Sequence, residues 1–176
     1  MNLVTAIEEL KHRADELRLP DLRRLISDLK PERSEIDPFL HFTDNRYARN
    51  LVYKTPNFEC LVLCWKPGQR SPIHDHGSSI CAVYTVDGIL SADNYKKMAN
   101  GHIRADYCED FQVGSVLSIQ TSEIHQVSNL QDSSDLVSVH FYLAPLENSY
   151  QYSVTEPKYE MYQRSYTRIF TLADGI

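Results

Sequence analysis

The chain has 176 residues, a formal net charge of −6, 42% hydrophobic and 24% charged residues, a balance that suits one globular domain able to bury a core without disulfide staples. No basic cluster is longer than "LRR" or "YKK", so the concentrated positive face of a nucleic-acid binder is missing. No apolar run approaches the ~20 residues of a membrane-spanning helix, and "MNLVTAIEELKHR" carries acids early, unlike an export signal.

In the first 30 residues Leu3, Ile7 and Leu10, then Leu22, Leu25, Ile26 and Leu29, recur at helical spacing. Pro20 is placed to open a second helix and Pro31 to end it. "SEIDPFLHF" adds a short helical turn. Residues 1–45 are therefore expected to form an N-terminal helical segment packed on a body spanning 46–176. From Arg46 the period changes to that of strands. "ARNLVYKTPNFECLVLCW" predicts two strands about a turn at "KTPN", and "SICAVYTVDGILSADNY" predicts a hairpin turning at Asp87-Gly88. "HIRADYCED", "GSVLSIQ", "HQVSNL" and "LVSVHFYL" follow as short strands, and the Tyr-rich tail from Glu147 ends in one strand near "YTRIFTL". Many short strands at close spacing predict an all-β antiparallel sandwich or barrel.

Of the four cysteines, Cys60, Cys64 and Cys108 are expected to be packing residues; no CxxC pair appears, and the chain reads as a cytoplasmic protein with free thiols. His12, His41 and His102 have no ligand spacing. His74 and His76 do: on a strand, residues i and i+2 point the same way, so both rings aim at one spot while Asp75 turns away. An HxH pair alone fits a metal site or a solvated strand face equally well.

The surrounding residues decide between these. Gly68, five residues, His74, one residue, His76, four residues, Cys81, six residues, Gly88 is similar to the first cupin motif, with Cys81 where Glu is usual. Gly114, ten residues, His125, three residues, Asn129 is similar to the second, with Gln120 and Ser122 in place of its usual Pro and Gly. "YARN", "CW", "SPIHDHGSSIC", "IHQVSN" and "SVHFY", in that order over residues 47–142, resemble the cysteine dioxygenase family. The resemblance implies a cupin, jelly-roll-like β-barrel with the helical extension at its N-terminus, and one Fe(II) per chain held by His74, His76 and His125. It implies that Arg49 clamps a substrate carboxylate, with Tyr47, Trp65 and Ser71 walling the pocket. It also implies a Ser138-His140-Tyr142 row with the phenol beside the metal, and a thioether between Cys81 and Tyr142. A proline pair with a cis bond, usual after that tyrosine, is replaced here by Ala144 and Pro145.

Three imidazoles would leave the ion its full charge, which suits an anionic thiolate substrate; zinc also accepts three histidines and a water. The expected activity is oxidation of L-cysteine by O2 to cysteine sulfinic acid, by a monomer needing no nucleic acid or membrane. The alternatives are dioxygenation of 3-mercaptopropionate or another mercapto acid, and a non-catalytic metal-binding cupin.

Overall fold

The computed structural model describes residues 1–170. Helix α1 spans Leu3–Arg13, α2 Leu19–Ser27 and α3 Arg33–Ile36, followed by a 3-10 turn at Asp37–Phe39. The strands are β1 Ala48–Lys54, β2 Phe58–Trp65, β3 Ile80–Asp87, β4 Leu90–Lys97, β5 Ile103–Phe111, β6 Val116–Ile119, β7 Ile124–Ser128, β8 Leu136–Leu143, β9 Asn148–Tyr152, β10 Tyr159–Gln163 and β11 Arg168–Ile169.

The Asn2 side chain accepts from the Thr5 N–H and caps α1, whose last turn carries Lys11, His12 and Arg13 where a helix end favours cations. Pro20 stands in the first turn of α2, and Ser27 ends the helix four positions before Pro31. Leu3, Ala6, Ile7 and Leu10 of α1, with Leu22 and Ile26 of α2, form the apolar stripe.

That stripe covers a six-stranded sheet ordered β11-β1-β2-β8-β3-β6. The period-2 rule sorts its side chains into two cores. Phe58, Cys60, Val62 and Cys64 of β2, with Val137, Val139, Phe141 and Leu143 of β8, pack against the helices. Leu61, Leu63 and Trp65 of β2, with Leu136 and Tyr142 of β8, face inward and meet Cys81 and Val83 of β3. Both faces of β2 and β8 are thus buried, which is why "FECLVLCW" is apolar but for Glu59 and why "LVSVHFYL" holds no acid, Lys or Arg.

A three-stranded sheet, β5-β4-β7, supplies Leu90, Ala92 and Val127 to the inner core. The two sheets make the antiparallel double layer of a jelly roll. The sequence-predicted hairpin at Asp87-Gly88 is not one: β3 pairs with β8 and β6, whereas β4 pairs with β5 and β7. Asp87-Gly88 turns a corner between sheets, and the hairpin is β4–β5. The tail is more ordered than expected, with β9 and β10 forming their own ribbon and β11 lying parallel to β1; residues 171–176, the end of the predicted last strand, lie outside the described residues. Cys60 and Cys64 are buried as expected, but Cys108 is exposed on β5, whose central residues face solvent. Among the described residues no helix is long and apolar enough to cross a membrane.

Candidate metal centre

His125 stands on β7, and His74 exchanges both backbone hydrogen bonds with it, each 2.9 Å. His76 is not on a strand: it follows a single bridge residue in the bend between β2 and β3 and is held by its N–H on the Thr121 carbonyl at 3.2 Å. The rings nevertheless converge. Centroids lie 4.4 Å apart for His74 and His125, 4.7 Å for His76 and His125, and 5.4 Å for His74 and His76. One ligand atom from each falls within 4.8 Å of the other two, and all three residues are buried. Asp75 points the other way and accepts from the Tyr150 N–H and the Tyr152 hydroxyl of β9.

The donor set fits a metal ion. A backbone carbonyl can only accept, so His74 Nδ1, 2.8 Å from Pro72 O, and His125 Nδ1, 3.1 Å from Glu123 O, each carry the proton. That leaves both Nε2 lone pairs free, the usual arrangement for a metal-bound imidazole. His76 Nδ1 is buried without a partner. Burial holds the rings neutral: it pushes His74 and His76 well below the ordinary imidazole range, helped by Arg164 and the neighbouring imidazoles, and takes His125 to about 4.

Arg49 of β1 reaches the same chamber. Burial opposes its charge, but Tyr142, Tyr47 and Glu59 together outweigh that and raise its pKa. Its Nη2 lies 3.7 Å from the Glu59 carboxylate, too far for a hydrogen bond, and its buried Nε and Nη2 have no hydrogen-bond partner. Tyr47 stacks on Trp65 with centroids 4.2 Å apart. The Ser71 hydroxyl accepts from the Val127 N–H at 3.0 Å and donates to the Pro72 carbonyl at 2.9 Å, tying the bend to β7.

On β8 a row runs away from the histidines. The Trp65 indole donates to Ser138 Oγ at 3.1 Å, Ser138 Oγ lies 2.9 Å from His140 Nε2, and His140 Nδ1 lies 3.2 Å from the Tyr142 oxygen. Cys81 faces Tyr142 directly across the β3–β8 ladder. Burial, then Glu59, pushes the Cys81 thiol well above its ordinary value, and burial, then Cys81, does the same to the Tyr142 phenol, so both keep their protons at neutral pH. The cis peptide after Tyr142 lies at Leu143–Ala144.

Two charged residues escaped the sequence reading, Glu59 behind Arg49 and Arg164 on the chamber wall. Glu59 is fully buried and accepts from the Leu146 N–H at 2.9 Å and from the Tyr166 hydroxyl. Its signal was a single acid in an apolar strand. Arg164, in the tail, donates through Nε to Ser149 Oγ at 3.0 Å and through Nη1 to the Tyr47 hydroxyl at 3.3 Å. Nothing in its local sequence marks it.

A jelly roll carrying three buried, neutral histidines on one inner face is a metal-binding cupin. Solved structures share the fold: a double-stranded β-helix protein from Klebsiella pneumoniae (TM-score 0.53, 14% identity, 62% of this chain and 81% of that one) and a cupin 2 domain-containing protein from Halorhodospira halophila (TM-score 0.52, 13% identity, 65% and 76%). Residues 1–155 match the family profile "Cysteine dioxygenase type I". Cysteine dioxygenase type 1 of Homo sapiens is 24% identical over 149 residues (78% of this chain, 71% of the relative), and that of Danio rerio 26% over 141 residues (77% and 70%). The chain belongs to the cysteine dioxygenase type I family.

Proposed function

We propose that this chain is a ferrous thiol dioxygenase that converts L-cysteine and O2 to cysteine sulfinic acid. The observation that carries the reading is a buried guanidinium, Arg49, with two unpartnered N–H groups beside three neutral imidazoles. His74, His76 and His125 would hold the ion, which supplies the redox chemistry joining dioxygen to sulfur. Three neutral ligands leave its charge uncancelled, which favours an anionic thiolate over a neutral alcohol.

The chain's own groups orient the reactants. Arg49 offers its planar fork to the substrate carboxylate and fixes the sulfur end toward the histidines. Tyr142 supplies a neutral phenol proton to an oxygen in the chamber, and the Tyr47–Trp65 stack closes the wall. Cys81 stays a thiol and does not compete for the metal; a thioether from its sulfur to the Tyr142 ring, formed with loss of two hydrogens to dioxygen, would fix the phenol. Both oxygen atoms go to the substrate sulfur, so the substrate provides all the electrons and no external reductant is consumed.

The test is anaerobic ferrous loading followed by oxygen uptake and product mass with cysteine and with 3-mercaptopropionate. The expected result is one O2 consumed per cysteine and a product heavier by both oxygen atoms. Arg49→Gln should lower kcat/KM for cysteine about 10²-fold, as loss of a charge-assisted bidentate contact predicts. Undiminished cysteine turnover in Arg49→Gln would remove the clamp from the reading; no uptake with either thiol would favour a binding cupin.

A further inference from the structure

Arg164 has no role in that reaction as derived so far, yet it is a guanidinium more than nine-tenths buried, with a side-chain partner on two nitrogens and none on Nη2. Both partners are neutral hydroxyls, and among the described residues no carboxylate pairs with it. A buried charge in that position is costly unless an anion joins it. Burial and the nearby Arg49 both work against its charge and lower its pKa.

The cavities around it say where such an anion would sit. The chamber at the histidines has room for about 10 Å³, one water's worth. Tyr47, Arg49 and Arg164 separate it from a second cavity of about 210 Å³, to whose wall Arg46 and Arg70 also belong. That second cavity is lined by four arginines and no carboxylate, on a protein whose net charge is −6. A substrate with sulfur at the histidines must therefore extend past Arg49 toward Arg164. One carboxylate answers Arg49, which also has Glu59 nearby; Arg164 is left for another.

We propose that Arg164, with the Tyr47 hydroxyl and the arginine-lined cavity, is a second anion subsite, and that the pocket takes short thiols bearing two carboxylates more tightly than cysteine. The inference rests on the thiol dioxygenase reading for the sulfur end, but the anion subsite can be measured without turnover. Arg164 is here a substrate-binding residue that sets specificity.

Succinate and propionate, which lack sulfur, serve as probes in calorimetric titrations of the ferrous protein under argon. Succinate is expected to bind roughly tenfold or more tighter than propionate, the effect of one added charge-assisted contact. Arg164→Gln should reduce that preference to about threefold or less, and Arg164→Lys, which keeps the charge, should retain most of it. Equal affinities in the unsubstituted protein overturn the proposal even if neither variant folds, as does a preference that survives in folded Arg164→Gln. Oxygen uptake with mercaptosuccinate and cysteine then separates the two readings. Cysteine turnover without a succinate preference keeps the dioxygenase and removes the subsite. A succinate preference lost in Arg164→Gln, with no uptake on any thiol, keeps the subsite and removes the dioxygenase.

Discussion

Tyr142 is useful to an oxygen-handling site only if its proton points into the chamber, and the β8 row determines that. An indole N–H can only donate, so Ser138 Oγ accepts from Trp65. If the Ser138 proton then goes to His140 Nε2, His140 donates from Nδ1 to the Tyr142 oxygen, and the phenol proton is released toward the histidines. The reverse order would strand the Ser138 proton in a fully buried strand, at the cost of an unmade hydrogen bond. Tyr142→Phe should therefore bind ferrous iron normally by metal analysis and lose about 10²-fold in kcat, the scale of one positioned proton donor. The unsubstituted protein should also lose the mass of two hydrogens once the Cys81 link forms, and Tyr142→Phe should not. Equal kcat in the two proteins would leave the phenol a packing group. Ser138, His140 and Tyr142 were legible through the family resemblance; their alternation gives them one face of β8 but by itself fits an exposed polar strand equally. Trp65 and Ser138 come from different strands and meet only through the β2–β8 register, and Arg164 reaches Tyr47 from 117 positions away; such encounters leave no mark in local spacing.

The glycines show how much element-level information a motif holds. Asp87-Gly88 carries the turn signal, and Gly88 does adopt a left-handed φ of +76°. A turn dipeptide specifies a local reversal and not which sheet receives the next strand; β7 binds β4 and draws it away from β3. Read as a hairpin, the segment would put β3 and β4 side by side; as a corner, it brings His125, beside β4, over the inner face of β3. Likewise HxH predicted a strand, and the observed bend does the same work because His74 alone is bridged, to His125 and to Gln151. Gly68 and Gly88 offer a matched test. Both have positive φ, but a Cβ on Gly68 meets nothing within 4 Å, whereas one on Gly88 would sit 2.5 Å from the Asp135 carbonyl. Gly68→Ala should cost about 1 kcal/mol, the left-handed penalty alone, and Gly88→Ala at least about 2 kcal/mol because the backbone before β8 must also move. Urea midpoints measure both; equal losses would mean that the corner is slack.

At the scale of the molecule, one sheet serves two purposes. Its outer face is covered by α1 and α2, and its inner face carries Arg49, Cys81, Ser138, His140 and Tyr142, so helix packing sustains the wall on which the site is built. The tail closes the open side through Asp75, Ser149 and Arg164. The closure desolvates every imidazole of the site, and that desolvation has a consequence for the whole fold. Burial lowers His125 from an ordinary 6.5 to about 4 and drives His74, His76 and His140 well below 6.5. Below pH 6.5 the unfolded chain takes up protons on these residues that the folded chain refuses, so stability falls as pH falls. For His125 the loss runs from about 6.5 down to about 4, at up to about 1.4 kcal/mol per pH unit, and is complete once the folded ring also protonates. Metal-free protein should accordingly unfold at clearly lower urea at pH 5 than at pH 7.5, by an amount that several histidines share. Ferrous ion should add nearly the same stabilisation at pH 5 as at pH 7.5, since the folded rings are neutral at both and protons do not compete there for their nitrogens. A urea midpoint unchanged between the two pH values would mean that the three rings are wet and already protonating in the folded state, and a centre in that condition could not hold the neutral ligand set on which the chemistry depends.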